Sequence, residues 1–258
     1  MGREKDLAQL QECYAAASAG TCKLVFISGE AGIGKTTLVN RFLASLRTMR
    51  QAWISVGQGV QHHGAGEAYL PVLTVLSQFA RGAEQGELRA VLQQYAPNWL
   101  VRVPALWQDG GNKPTADLLP LVTPQRLMWE LGETFRVLTE RRPLVLVFDD
   151  LQWSDTATVE WLAYLARWQE PLRLLIIGTF RPADVIMSGH PLYAITQELR
   201  GKGQSAELRL ELLNRQQVQD YCTQRFPGSA LPARLITLIH RRTDGHPLFL
   251  VSIMEYLV

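Results

Sequence analysis

Compact apolar runs alternate with stretches of helical periodicity along most of this chain. Leu24 to Ile27, Trp53 to Val56, Leu144 to Phe148 and Leu174 to Ile177 are short and β-rich, as buried strands require. Leu208, Leu210 and Leu212 alternate with Arg209 and Glu211, which predicts a fifth strand. Between the first two runs, Leu38, Val39, Phe42, Leu43 and Leu46 recur at helical spacing. Continuous apolar strands separated by helices imply a parallel sheet covered on both faces, an α/β/α sandwich.

Residues 59–140 predict helices and loops. Tyr69-Leu70-Pro71 leads into Val72, Leu73, Val75, Leu76 and Phe79 at helical spacing. Ala96 to Leu106 holds two prolines and tryptophan-flanked turns, and Asp109 to Thr115 reads as an exposed loop. Beyond Leu213, Asn214 is placed to cap a helix through Phe226, followed by helices over 232–242 and 247–258. The chain thus divides into a sheet domain, 1–213, and a helical appendage, 214–258. The last helix meets no stop signal, so the appendage reads as truncated.

With 258 residues, 47% apolar and 19% charged, the chain can build a sizeable core and is not of the disordered class. A formal charge of +2, with Arg141-Arg142 and Arg241-Arg242 as isolated pairs, leaves no basic footprint for nucleic acid. Cys13, Cys22 and Cys222 lack metal or redox spacing, and a sparse odd count fits a reducing cytoplasm. Neither a secretory leader nor a membrane-length apolar run is present.

The chemistry is concentrated in Gly29-Glu30-Ala31-Gly32-Ile33-Gly34-Lys35-Thr36-Thr37, which fits Gly-x-x-x-x-Gly-Lys-Thr between a strand and a helix. Glycines let the backbone N–H groups turn toward a polyphosphate, and the helix N-terminus adds partial positive charge. Lys35 is placed to reach the β- and γ-phosphates, and the Thr36 hydroxyl to ligate Mg²⁺. The stretch implies binding of a nucleoside triphosphate.

The strand 144–148 ends in Asp149-Asp150, where acids at the sheet's C-terminal edge meet such phosphates. Asp149 is expected to hold Mg²⁺ through water, and Asp150 either to orient or deprotonate an attacking water or to cap a turn. Asp155 precedes a helical stretch and is expected to cap it. The next strand ends Gly178-Thr179-Phe180-Arg181, placing a polar residue and an arginine opposite the γ-phosphate; Arg181 reads as its sensor or as a surface charge. Asn112-Lys113-Pro114-Thr115 lacks the aspartate of a guanine-selecting motif and precedes the acidic strand, so it reads as loop and adenine as the base.

Together these motifs resemble the nucleotide-binding module of the signal-transduction ATPases with numerous domains, the STAND class among AAA+-like ATPases. The resemblance starts at Gly2-Arg3-Glu4, runs through the glycine loop, Leu144 to Asp155 and Gly-Thr-Phe-Arg, and ends at Gly245-His246-Pro247-Leu248-Phe249-Leu250. It implies a P-loop NTPase fold with a five-stranded parallel sheet in the order 5-1-4-3-2 and a C-terminal helical lid. It also implies that Gly2 and Arg3 pack near the base and that Pro247 lies against adenine. His246 stands where such modules often carry Asn, and reads as an exposed turn residue. The resemblance further implies flanking effector and sensor domains of a bacterial regulator.

Four readings follow. ATP·Mg²⁺ could gate the orientation of core and lid with slow hydrolysis, since no arginine finger is identifiable. A ring-forming motor would instead assemble with nucleotide and recruit Arg167, Arg173 or Arg200 from a neighbour. A small-molecule phosphotransferase and a non-hydrolysing ATP clamp complete the set. The switch is the reading these residues favour.

Overall fold

The computed structural model describes residues 2–49, 52–59, 67–82, 85–107, 122–226 and 231–256. The expectations for Asp109 to Thr115, including the Asn112-Lys113 stretch, lie outside these residues, as does the end of the last helix. Five parallel strands, β1 (Lys23–Ser28), β2 (Trp53–Gln58), β3 (Leu144–Asp149), β4 (Leu174–Phe180) and β5 (Ser205–Arg209), form one sheet. Their order is β2-β3-β4-β1-β5, the predicted 5-1-4-3-2 read from the other edge.

Both faces are buried, as the uninterrupted apolar runs require. Successive strand residues point to opposite faces. Leu24, Phe26, Leu144, Leu146, Phe148, Leu174 and Ile176 therefore join one core. That core is closed by α3 (Leu70–Phe79), α4 (Gln85–Tyr95), α5 (Pro97–Arg102), α6 (Pro124–Arg141), α7 (Thr156–Ala166), α8 (Pro182–Met187) and α9 (Leu192–Gly201). The alternate residues Val25, Ile27, Val145, Val147, Leu175 and Ile177 pack beneath α1 (Glu4–Ser18) and α2 (Lys35–Met49). This is the three-layer arrangement.

The fifth strand sits earlier than the leucine alternation predicts. β5 pairs Ser205–Arg209 with Leu24–Ser28, so it must stop where β1 stops. The Leu210 N–H still donates to the Ser28 carbonyl at 2.8 Å, but Leu212 is 41% exposed and outside the sheet.

Past that point the chain builds α10 (Arg215–Arg225), α11 (Ala233–Thr243) and α12 (Pro247–Tyr256). Asn214 opens α10 with a reciprocal capping box to Gln217, the signal its position suggests. These helices enclose a core of their own around Leu213, Val218, Cys222, Ile236, Ile239, Leu250 and Met254. No helix among the described residues is long and apolar enough to cross a membrane.

Asp155 caps α7 as predicted, and does more. Its carboxylate accepts from the Thr158 N–H at 2.8 Å, the Thr158 hydroxyl at 2.7 Å and the Tyr69 N–H at 2.9 Å. Tyr69 precedes α3 in a left-handed conformation, so one side chain fixes two helix starts. Asp155→Ala is expected to cost about 2 kcal/mol, a lost cap plus an orphaned donor. Urea denaturation checks this; a change below roughly 0.5 kcal/mol would refute the double role.

Candidate functional site

Six residues, 29–34, join β1 to α2, and Gly29, Gly32 and Gly34 all take positive φ in the turn. Gly32 has φ of +72°, and a Cβ there would stand 2.9 Å from both His246 Cε1 and Leu248 Cβ. The loop thus curls back on itself while touching α12. Lys35, only 7% exposed, turns its ammonium into the loop and donates to the Gly29 and Glu30 carbonyls, each at 2.9 Å. Burial pushes its pKa below the ordinary lysine value, and nearby Arg181 adds to this against the pull of Asp150, Asp149 and Asp184. Two cations therefore share one small region, a setting that favours a polyanion.

The acids arrive at the end of β3, beside Thr179 and Arg181 at the end of β4, the two strands being paired up to Phe148 and Gly178. The Asp149 carboxylate accepts from the Thr36 hydroxyl at 2.9 Å and from the Thr179 hydroxyl on its other oxygen. The Thr179 oxygen in turn accepts from the Asp150 N–H at 3.0 Å. Thr36 and Asp149 thus offer adjacent hard oxygens, a donor set that fits Mg²⁺. Among the described residues no group of three His, Cys, Asp or Glu side chains could hold a metal alone. Mg²⁺ here would draw its remaining ligands from water and phosphate, as it commonly does.

Asp150 sits in the left-handed region, at φ of +57°. It makes no capping bond, so the turn-capping alternative fails. Its carboxylate accepts from Gln152 Nε2 at 2.7 Å and lies 3.8 Å from Arg181 Nη2. Gln152 also accepts from the Arg181 N–H at 3.2 Å, linking the two strand ends. Arg181 further reaches Asp184 at 3.5 Å, while its buried Nε has no partner among the described residues. Arg181 is thus no plain surface charge: it is loosely held and faces the loop region.

On the opposite side of the loop, Arg3 donates to the Ile33 carbonyl at 3.1 Å and the Glu211 carbonyl at 2.6 Å. Burial lowers its pKa, against Asp6 and Glu211. The Gly2 carbonyl accepts from Gln217 of α10 at 2.6 Å. A cavity of about 150 Å³ opens here, with Arg3, Ile33 and Thr37 on one wall and Tyr221, Pro247 and Leu250 on the other. A larger hollow of about 540 Å³ lies at the other end of the strands, beside Cys22, Lys23 and Ser205. In open parallel sheets ligands bind at the carboxyl ends, which is the end where the smaller cavity lies.

The predicted site residues therefore come from five segments of chain: 2–3, 29–37, 149–150, 181 and 247. Gln152, Gln217 and Tyr221 went unnoticed in the sequence because nothing local marks them. His246 is the clearest departure from expectation. It is half-buried, and its Nε2 stands 3.0 Å from the Ala31 carbonyl of the loop.

No curated protein matches the chain. Among solved structures, Cdc6p from Pyrobaculum aerophilum aligns with a TM-score of 0.57 and 16% identity, covering 98% of this chain and 60% of that one. A signal transduction ATPase with numerous domains and a tetratricopeptide repeat sensor, from Pyrococcus horikoshii, aligns at 0.51 and 19%, covering 99% and 30%. The Drosophila ORC bound to DNA aligns at 0.52 and 15%, covering 97% and 53%. At such identities the likeness is one of fold, and this chain spans 30 to 60% of the length of these proteins. The sequence itself matches the AAA ATPase domain family over residues 1–177, from the first residue into β4. Because that stretch holds the phosphate loop and the acidic strand end, and more than half the chain, this protein belongs to the AAA ATPase domain family.

Proposed function

We propose that the chain is a nucleotide-gated switch, with a sheet domain over 1–213 and a lid over 214–258 held in one orientation by ATP·Mg²⁺. The observation that carries this reading is the cavity walled by both parts, next to the phosphate loop. Adenine fits between Ile33 and Pro247, with Gly2 and Arg3 closing one side. Gly29 to Thr37 wrap the phosphates, Lys35 meets the β- and γ-phosphates, and Thr36 and Asp149 hold Mg²⁺. The metal offsets charge on the phosphates.

Arg181 supplies the gate. It contacts Asp150 and Asp184 at 3.5–3.8 Å, distances long enough for these contacts to be exchanged. A γ-phosphate offers a stronger, charge-assisted partner. Drawing Arg181 away frees Asp150 to orient or deprotonate water, so sensing and hydrolysis share one arginine. Hydrolysis is slow in this reading. Arg167, Arg173 and Arg200, the arginines a motor would lend to a neighbour, are engaged with Glu198, the Ser18 carbonyl and Glu207 at 2.8–3.0 Å. That favours the switch over the ring-forming motor.

Flanking domains of the same polypeptide, an effector and a sensor such as the tetratricopeptide repeats of the Pyrococcus protein, would receive the signal. In this reading the module belongs to a cytoplasmic bacterial regulator, with DNA binding left to a neighbouring domain. Hydrogen exchange with ATP·Mg²⁺ and with ADP·Mg²⁺ tests the proposal. Slower exchange in α10–α12 with ATP is expected, and identical exchange in lid and core with both nucleotides refutes it.

A further inference from the structure

Two side chains from opposite ends of the chain grip the phosphate loop by its carbonyls. The Gly29 and Glu30 carbonyls converge on the Lys35 ammonium, each at 2.9 Å. The next carbonyl, Ala31, turns the other way and faces His246 Nε2 at 3.0 Å. The peptide unit is planar and trans, so its N–H points opposite to its C=O. Fixing the Ala31 oxygen on the lid therefore directs the Gly32 N–H away from the lid, to the inner side of the loop. Arg3 does the same one step on, holding the Ile33 oxygen at 3.1 Å and so orienting the Gly34 N–H.

The histidine is built to stay there. Its ring packs on Phe249 with centroids 4.8 Å apart, one turn into α12. Its Nδ1 is buried without a partner among the described residues, which leaves Nε2 as the ring's one bonded atom. The approach is possible only because Gly32 lacks a Cβ, which would stand 2.9 Å from His246 Cε1.

We propose that His246 is a positioning residue through which the lid sets the phosphate-binding competence of the loop. When the lid is seated, His246 donates to Ala31 and the Gly32 N–H is presented to the phosphates. When the lid departs, that peptide is free to rotate and one donor is lost. Nucleotide therefore favours the seated lid, and the seated lid tightens nucleotide, as reciprocal coupling requires. This rests on the loop binding nucleotide as proposed above.

The test compares wild type, His246→Phe, His246→Gln and Lys35→Ala by calorimetric titration with ADP·Mg²⁺, with circular dichroism melts to set a temperature at which each is folded. His246→Phe keeps the ring and its stacking but removes the donor, and is expected to bind about three- to tenfold more weakly. His246→Gln restores an N–H donor and is expected to recover most of that loss. Equal affinity of His246→Phe and wild type overturns the inference, as does a glutamine variant as weak as the phenylalanine one. If His246→Phe does not fold, the glutamine variant decides: within about twofold of wild type supports the donor, and a greater loss overturns it. A wild type that binds no better than Lys35→Ala would instead overturn the nucleotide reading itself.

Discussion

Lys35→Ala is expected to lower ATP turnover by at least about 10²-fold and to weaken nucleotide binding by about tenfold or more. The ammonium is a buried cation inside the loop, where it donates to the Gly29 and Glu30 carbonyls. A polyphosphate replaces those two dipoles with full negative charge, a larger gain where water is excluded. Alanine removes the charge and leaves two loop carbonyls to find water instead. Phosphate release and calorimetric titration measure both effects, and wild-type turnover in the variant would sink the assignment.

The same environment gives the affinity a pH dependence. Burial and Arg181 hold the Lys35 pKa below its ordinary value, so the free protein sheds this proton at lower pH than an ordinary lysine. Phosphate favours the charged form, and binding then takes up a proton wherever the free protein has begun to lose it. Affinity, read by calorimetric titration at rising pH, should therefore begin to fall below the usual lysine range.

What could be read from sequence was what local chemistry dictates. Gly29 to Thr36 and the apolar run ending in Asp149-Asp150 carry their functions within a few residues, and the structure sets the two side by side, Thr36 against Asp149 at 2.9 Å. The helix starts at Asn214, Pro232 and Pro247 were legible for the same reason. The end of β5 was not. Leucine alternation runs on past Arg209 because Leu210 still packs under the sheet, whereas Leu212 continues the pattern while 41% exposed. Periodicity alone does not mark which leucine is the last to be buried. His246 was missed for a different cause: its partner lies 215 residues away, and a histidine before proline carries no local sign of what its ring will meet. Gly2 and Gln217 are likewise separated by 215 residues. Contacts of that span depend on how the lid is seated.

Gly245→Ala is expected to detach the lid, at a cost of about 3 kcal/mol or more. Gly245 follows α11 at φ of +73°, directly after Asp244 at φ of +51°, so two successive residues are left-handed. A Cβ at 245 would stand 1.9 Å from the Leu213 carbonyl oxygen, well inside any tolerable contact. The overlap has no cheap relief, because the Leu213 N–H donates to the Gly245 carbonyl at 2.8 Å and the two backbones are tied there. Leu213 is where the chain leaves the sheet domain, and Gly245 is where it turns into α12. This clasp therefore fixes the start of the lid's last helix to the residue just before the lid, and His246 and Pro247 follow immediately. Separating the strands of the clasp should release α10–α12 while α1 to β5 keep both cores of the sheet. Hydrogen exchange would show protection lost across 214–256 and retained in the strands, with nucleotide affinity falling alongside. A melt within about 3 °C of wild type, with the lid still protected, would mean the clasp does not govern where the lid sits.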